Sequence, residues 1–354
     1  MQRSPACVAP HSDEALAHGV EFLRKQQGAD GRWRDFHTEA GTSTEWVTAF
    51  VLTQLAELPQ CAHMRAAAAQ ALVRWQRGNG GWSYNPLIPP DGDSTAWALR
   101  ALQGQKLLPP RTLRKGLHFL ARHEIADTGG FTTYTLLKNI QHAIGEANLA
   151  AVRGWGSAHS CVTANAALAL MDQGLAPTHP LLTRALSYLS NARDANGLWQ
   201  SYWWQGYGYG TYHATLALSR GGRLSAAARS DIARTLLRHA ATEKSWTPTV
   251  SPQADIFPSV WVLSMLLMAV TDAQLRSIAA RGVEWLTQQQ RADGSWNCAA
   301  ILRIPPADVQ DPAQVRHWHV RNDTGVAIIV HDINRVFTTA AVLRVLERAR
   351  RVLD

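Results

Sequence analysis

The sequence predicts an all-α fold, a closed (α/α)6 barrel with two loop insertions over its mouth, on two observations. First, the spacing Leu-x-x-x-Gln-x-x-x-Gly-x-Trp recurs along the whole chain, ending in Trp33, Trp82, Trp199 and Trp296. Second, each copy closes an amphipathic helix and is followed by a helix with almost no charge, such as TANAALALM or VWVLSMLLMAV. A helix apolar on one stripe lies at a surface, and one apolar all round is buried. Repeats that cannot hide their apolar faces alone stack on one another, and a ring leaves no exposed end. Residues 1–354 are therefore expected to form a single domain.

The outer helices are read at 14–27, 64–77, 111–123, 179–192, 224–241 and 273–290, from apolar positions at helical spacing. Intact copies of the repeat run Leu23-Gln27-Gly31-Trp33, Leu72-Gln76-Gly80-Trp82 and Leu286-Gln290-Gly294-Trp296. In Leu189-Arg193-Gly197-Trp199 an arginine replaces the glutamine. The copy from Leu120 through Gly129 to Phe131 carries one extra residue, and the stretch before Trp246 has lost its glycine. Glycine at a helix end adopts the positive φ that stops the helix, and the indole would then wedge between outer and inner helices as packing.

The inner helices begin near 43, 94, 160, 211, 258 and 338. They align on Thr44-Glu-Trp46, Thr95-Ala-Trp97, Thr163-Ala-Asn165, Thr211-Tyr-His213, Ser259-Val-Trp261 and Thr339-Ala-Ala341. The insertions are Asp127–Ser157, with an extra helix expected over Leu136–Val152 before Gly154-Trp155-Gly156, and Asn297–Arg335, which contains the strand-like VAIIVHDI. Long loops of a closed barrel cover its mouth.

Composition narrows the function classes. Net charge is +8, but the arginines are spread along helical stretches such as Arg223–Arg238 and Arg344–Arg351, which is the pattern of a solvated face. No basic run interleaves with aromatics, so nucleic acid is not an expected partner. The four cysteines (Cys7, Cys61, Cys161, Cys298) lack metal-ligand spacing, and Met1–Ser12 lacks the apolar core of a secretion signal. The cytoplasm is the expected compartment.

The repeats resemble the QW motifs of the squalene–hopene cyclase family, whose superfamily includes class II diterpene cyclases and protein prenyltransferase β subunits. The resemblance implies an α-toroid with an apolar central cavity. A second stretch, Asp91-Gly92-Asp93-Ser94-Thr95, resembles the Asp-x-Asp-Asp-Thr-Ala motif of class II terpene cyclases. Ser94 departs from the fourth-position aspartate and is nearer to Asp-x-Asp-Thr-Thr. Carried over residue by residue, the motif makes Asp93 the general acid that protonates an alkene and Asp91 its supporting carboxylate. Class II cyclases pair two such barrels; this chain accounts for one.

Protonating a carbon–carbon double bond requires a carboxyl that holds its proton in a dry cavity. Two carboxyls two residues apart, both buried, disfavour the doubly charged state. The following helix N-terminus works in the opposite direction, towards carboxylate. A plainer reading is that Asp93 caps the helix at Ser94, or that Asp91 opens a turn after Pro89-Pro90. At the position aligned with Asp93 the other repeats carry Thr42, Cys161, Tyr209, Phe257 and Phe337, so the carboxylate does not belong to the repeat's template.

Carbocations require π faces and no water. Candidate substrate-binding residues are Trp203, Trp204, Tyr207, Tyr209 and Tyr212, together with the register Trp46, Trp97, His213 and Trp261. That register faces either the lumen, as an aromatic collar with Asn165, or the outer helices, and helical spacing does not choose between them. His317-Trp318-His319 and His331-Asp332 lack a third metal ligand at recognisable spacing and read as loop residues. The resemblance implies no cofactor, with Mg2+ entering only alongside a diphosphate substrate.

The leading expectation is proton-initiated cyclisation or isomerisation of a linear isoprenoid, as a polyprenyl diphosphate or a prenylated small molecule. A prenyltransferase or non-catalytic isoprenoid-binding barrel is the alternative, and carbohydrate processing by paired carboxylates among Glu45, Asp91, Asp93 and Asp255 is the third. An apolar substrate allows peripheral membrane contact, and the sequence leaves a homodimer open.

Overall fold

A computed structural model of the chain describes residues 11–105, 109–135, 137–144, 152–248, 254–322 and 325–353, so Cys7 lies outside the described residues. In chain order come α1 (His11–Gln26), the hairpin β1 (Asp35–Thr38) and β2 (Gly41–Ser43), α2 (Glu45–Gln54), α3 (Ala62–Trp75), α4 (Gly92–Gly104) and α5 (Pro110–Ala121). They are followed by α6 (Leu137–Ile144), α7 (Ser160–Asp172), α8 (Pro180–Asn191), α9 (Gly208–Arg220), α10 (Ala226–Ala240), α11 (Ile256–Met268) and α12 (Ala273–Gln288). The chain ends with β3 (Ala300–Ile304), β4 (His319–Val320), β5 (Ile328–His331) and α13 (Val336–Leu353).

The inner ring consists of α2, α4, α7, α9, α11 and α13. Each packs on the next, and α13 returns to α2, so the contacts run round a complete circle. Helices α3, α8, α10 and α12 each bridge two consecutive inner helices, and α1 lies on α13 and α12. The composition of each helix matches its layer. From Ile256 to Leu267, α11 buries every residue except Pro258, whereas α12 buries a single stripe including Leu275, Ile278, Ala279, Val283 and Leu286. Among the described residues no helix is long and apolar enough to cross a membrane.

The repeat motif is a set of hydrogen bonds. Each indole Nε1 donates to the carbonyl ten residues earlier, Trp33 to Leu23 at 2.8 Å, Trp82 to Leu72 at 2.7 Å, Trp199 to Leu189 at 2.7 Å and Trp296 to Leu286 at 2.8 Å. The glutamine ties its own turn to the next outer helix: Gln27 Nε2 donates to Gly31 O and Met64 O, and Gln76 Nε2 to Gly80 O and Thr112 O, all at 2.9 Å. Gln290 makes the same pair of bonds to Gly294 O and, closing the ring, to Ala15 O. Gly294 has φ +87°, and a Cβ there would stand 2.4 Å from His18 O, so glycine is required on two counts. Where the motif has decayed, the geometry persists. Lys244, two residues before Trp246, adopts φ +54° in place of the lost glycine, and Arg193 stacks over Trp199 instead of bonding as glutamine does.

A third bond fixes the register of the inner helices. The backbone N–H of the motif aromatic donates to a hydroxyl of the following inner helix: Trp82 to Thr95, Phe131 to Thr163, Trp199 to Thr211, Trp246 to Ser259 and Trp296 to Thr339. In the first repeat, Trp33 donates to Thr48 and not to Thr44. The sequence alignment of that repeat was therefore one helical turn out of step, because Thr44 and Thr48 occupy the same side of α2. With the register corrected, Trp46 aligns with Asp93, Cys161, Tyr209, Phe257 and Phe337, and Phe50 takes the place beside Trp97, Asn165, His213 and Trp261.

Both insertions contribute to the mouth. The first contains α6, which falls within the helix expected over Leu136–Val152; residues 136 and 145–151 of that stretch lie outside the described residues. The second folds into a three-stranded sheet of order β3-β5-β4, with β3 antiparallel and β4 parallel to β5. The hairpin of β1 and β2 was not anticipated from the sequence; at four and three residues its strands are too short to show a period.

Candidate active site

Asp91 and Asp93 stand at the start of α4 and perform different tasks. Asp91 is the N-cap: its Oδ1 accepts from Ser94 N at 2.7 Å, and its Oδ2 lies 2.6 Å from Ser94 Oγ. Asp93 lies within the first turn and points away from its own helix. Its Oδ1 accepts from Asn165 Nδ2 of α7 at 2.8 Å, and its Oδ2 accepts from Trp46 Nε1 of α2 at 3.1 Å. Arg100, one layer deeper, donates to Asn165 Oδ1 at 3.0 Å. An arginine can only donate, so the Asn165 amide is fixed with its NH2 towards Asp93. Arg100 is itself held by Asp172, which also pairs with Arg220.

Burial dominates the electrostatics of both acids. It pushes Asp93 up to about 6, against the bonds from Asn165 and Trp46 and the charge of Arg100. It pushes Asp91 up to about 8 despite the bonds from Ser94, and the charge of Asp93 adds to the rise. The two carboxyls share no hydrogen bond, and the charge of Asp93 acts on Asp91 through space.

Above Asp93 lies a cavity of about 500 Å³. Its wall is mostly apolar and comes from the starts of α2 and α4, the β1–β2 hairpin, the loops before α4 and α9, and both insertions. Trp46 and Tyr84 form one side, stacked at 5.9 Å. Trp155 and Trp203 form another, 5.6 Å apart, with Tyr134 beside them. Leu302 and Ile304 close it from β3. Each indole is held by its N–H, Trp155 on Pro305 O at 3.1 Å and Trp203 on Thr133 Oγ1 at 2.9 Å, leaving the ring faces for a guest. The volume is that of a small-molecule site.

Of the residues expected from sequence, Asp91, Asp93, Trp46 and Trp203 line this cavity. Trp97, Trp204, Tyr209, His213 and Trp261 do not. They pack on one another across the lumen, with His213 4.9 Å from Trp261 and 5.8 Å from Trp97, and Tyr209 4.5 Å from Trp204. The register thus faces inward but fills the lower barrel as an aromatic plug, and burial holds His213 neutral by pushing it down to about 3. Tyr212 packs on Trp261 at 5.4 Å, outside the cavity lining. Tyr207 is carried outward, where its N–H bonds Glu243 and its ring meets His239.

Sequence reasoning did not single out Tyr84, Tyr134 and Trp155 as lining residues, nor Arg100 as the anchor of Asn165. The first three lie on loops, where no periodicity marks the inward face; the isolated arginine in the apolar run of α4 was the available signal for the fourth. Glu45 is turned onto Ser83 and Arg77, and neither it nor Asp255 lines the cavity. Among the described residues no three His, Cys, Asp or Glu side chains are grouped to hold a metal ion.

Comparison with known proteins gives the following likenesses. The family model of the squalene-hopene cyclase C-terminal domain matches residues 126–302, half of the chain. The type II terpene cyclase MstE from Scytonema is 29% identical with TM-score 0.86, over 97% of this chain and 100% of that one. An Asp-to-Asn variant of that cyclase, in complex with its substrate geranylgeranyl dihydroxybenzoate, superposes with TM-score 0.85. A protein from Actinoplanes is 31% identical with TM-score 0.82, over 96% of this chain and 99% of that one. Drimenyl diphosphate synthase from Streptomyces showdoensis is 28% identical over 125 residues, 34% of this chain and 24% of that protein, so the match spans about a quarter of that relative's length.

Proposed function

Since the chain belongs to the squalene–hopene cyclase family of terpenoid cyclases, we propose that it is a class II terpene cyclase acting on a linear prenylated small molecule. Asp93 transfers its proton to a terminal trisubstituted alkene of the prenyl chain. The new C–H bond forms at the less substituted carbon and leaves a tertiary carbocation, which the next alkene attacks to close a ring. The final cation loses a proton, so the product is an isomer of the substrate. Trp46, Trp155 and Trp203 present π faces that stabilise the travelling charge, and the apolar wall keeps water from quenching it.

The observation that carries this reading is Asp93 itself: a carboxyl held by two donors at the base of an apolar cavity and raised by burial to about 6, so that it holds its proton in mild acid and a minor fraction still does at neutrality. Its aligned neighbours in the other five repeats are Trp46, Cys161, Tyr209, Phe257 and Phe337, none of them a carboxylate. Asp91 supports it by capping α4, the helix whose first turn carries Asp93. The reaction as proposed draws on no cofactor.

The cyclase reading extends to the surroundings of the mouth. Leu87, Val320, Val326 and Ile333 are 80%, 59%, 46% and 45% exposed, and all four belong to segments leading into inner helices. They support loading of an apolar substrate by peripheral contact with a bilayer. The free thiols Cys61, Cys161 and Cys298 support a reducing, cytoplasmic setting.

The test is incubation of the pure protein with geranylgeranylated phenols, polyprenyl diphosphates and squalene, with products read by mass spectrometry. Cyclised product is expected from the wild type, and Asp93→Asn should lower turnover by about 10²–10⁴-fold. Full turnover by that variant would remove Asp93 from the mechanism.

A further inference from the structure

The charge of the cavity wall contrasts with that of the chain. The sequence holds 35 Lys and Arg and is +8 overall. Yet the described lining contains four acidic side chains, Glu39, Asp91, Asp93 and Asp308, and no Lys, Arg or His. Among all lysines and arginines only Arg3 and Lys106 lie outside the described residues. Asp91 and Asp93 sit at the closed end. Glu39 and Asp308 are exposed and mark the open end, and Glu39 Oε2 accepts from Gly325 N at 3.2 Å across the mouth.

Strand geometry turns Arg303 away from the cavity. Leu302 and Ile304 line it, and Arg303 between them takes the opposite face of β3 because successive strand residues alternate. There Arg303 donates to Ser201 O and stands over Trp318. A negative charge on a head group at the mouth would therefore meet the carboxylates of Glu39 and Asp308 and find no cationic side chain in the described lining. Like charges brought together in a binding site disfavour the complex strongly.

From this we infer that the cavity takes a prenyl chain joined to an uncharged or cationic head, such as a neutral phenol or an amine, and discriminates against diphosphate and carboxylate heads. The inference rests on the cyclase reading and sharpens its substrate class. The prenyl chain reaches down to Asp93, while the head stays at the mouth, where Glu39 and Asp308 accept its O–H or N–H groups. This chain would then differ in head group from both the dihydroxybenzoate bound by the Scytonema cyclase and the diphosphate named for the Streptomyces relative.

The experiment measures dissociation constants of Asp93→Asn for four probes with one geranylgeranyl chain: a hydroquinone, a primary amine, a dihydroxybenzoate and a diphosphate, the last with and without Mg2+. The hydroquinone and the amine are expected to bind at least about tenfold more tightly than either anion. Equal or tighter binding of the benzoate, or of the diphosphate in either condition, overturns the inference while leaving the cyclase reading intact. Binding of none of the four overturns the isoprenoid site itself. Glu39→Lys with Asp308→Lys, both on exposed positions, should move the preference towards the anions, and an unchanged ranking contradicts the role given to the rim.

Discussion

At the scale of single residues, the site is a carboxyl whose proton affinity is set by opposing influences. Burial raises it, and Asn165, Trp46 and Arg100 lower it. Asn165→Ala removes a donor that favours the charged form, so the Asp93 proton should become harder to give up. We expect the upper limb of the pH–rate profile to move up by about 1 pH unit, on the scale of one charge-assisted hydrogen bond, with a lower maximal rate. The wild type should lose activity as pH rises through the Asp93 value of about 6, because the ionised form has no proton to deliver. Asp93 was identifiable in the sequence because Asp91-Gly92-Asp93-Ser94-Thr95 resembles a known acid motif and no aligned repeat carries a carboxylate at that position. Its partners were less so: Trp46 was found, but in the wrong register, since two threonines one turn apart fit the same pattern.

At the scale of elements, α4 couples the cap to the catalytic turn. Asp91 has a folded value of about 8, above the usual range for aspartate. The native state therefore holds its proton more tightly than the unfolded chain, and this contribution to stability is full in acid and is lost as pH rises from about 4 to 8. Asparagine keeps the capping oxygen without the titration. Chemical unfolding of Asp91→Asn should show a stability that falls less than that of the wild type across this window. The repeat turns make a second prediction. Gly294→Ala must take a positive φ and meet His18 O, and should cost about 2–4 kcal/mol. Gln290→Ala, which loses two bonds to backbone carbonyls, should cost about 1–2 kcal/mol; thermal or urea unfolding reads both. These turns were legible because one conformation demands one spacing. The degenerate copies at Phe131 and Trp246 show how far residues can drift once the hydroxyl of the next inner helix fixes the register.

At the scale of the molecule, alternation of charged and uncharged helices gave the layers and the closure of the ring, down to inner-helix starts within a few residues. What the ring encloses was not readable from that alternation. Helical periodicity states which side of α4, α9 and α11 is buried, but not whether the lumen is open or filled at a given depth. Rings at the level of Trp97, His213 and Trp261 fill it, and the cavity lies above them, walled by the two insertions, the β1–β2 hairpin and the loops before α4 and α9. The mouth makes a prediction at this scale. Replacing Leu87 and Ile333 with serine, both exposed and neither part of the cavity lining, should reduce co-sedimentation with phospholipid vesicles while leaving turnover of detergent-dispersed substrate unchanged. Binding to vesicles that ignores both changes would remove these residues from the contact.

The central claim is that a proton from Asp93 becomes part of the product, and turnover in D2O tests it directly. The Asp93 carboxyl exchanges with solvent, so a geranylgeranyl phenol cyclised in D2O should gain one deuterium, on the carbon of the former terminal alkene that the acid attacks. Asp93→Asn should form almost none of this labelled product. Cyclised product without deuterium at that carbon, or labelled product formed equally well by the variant, would contradict the account.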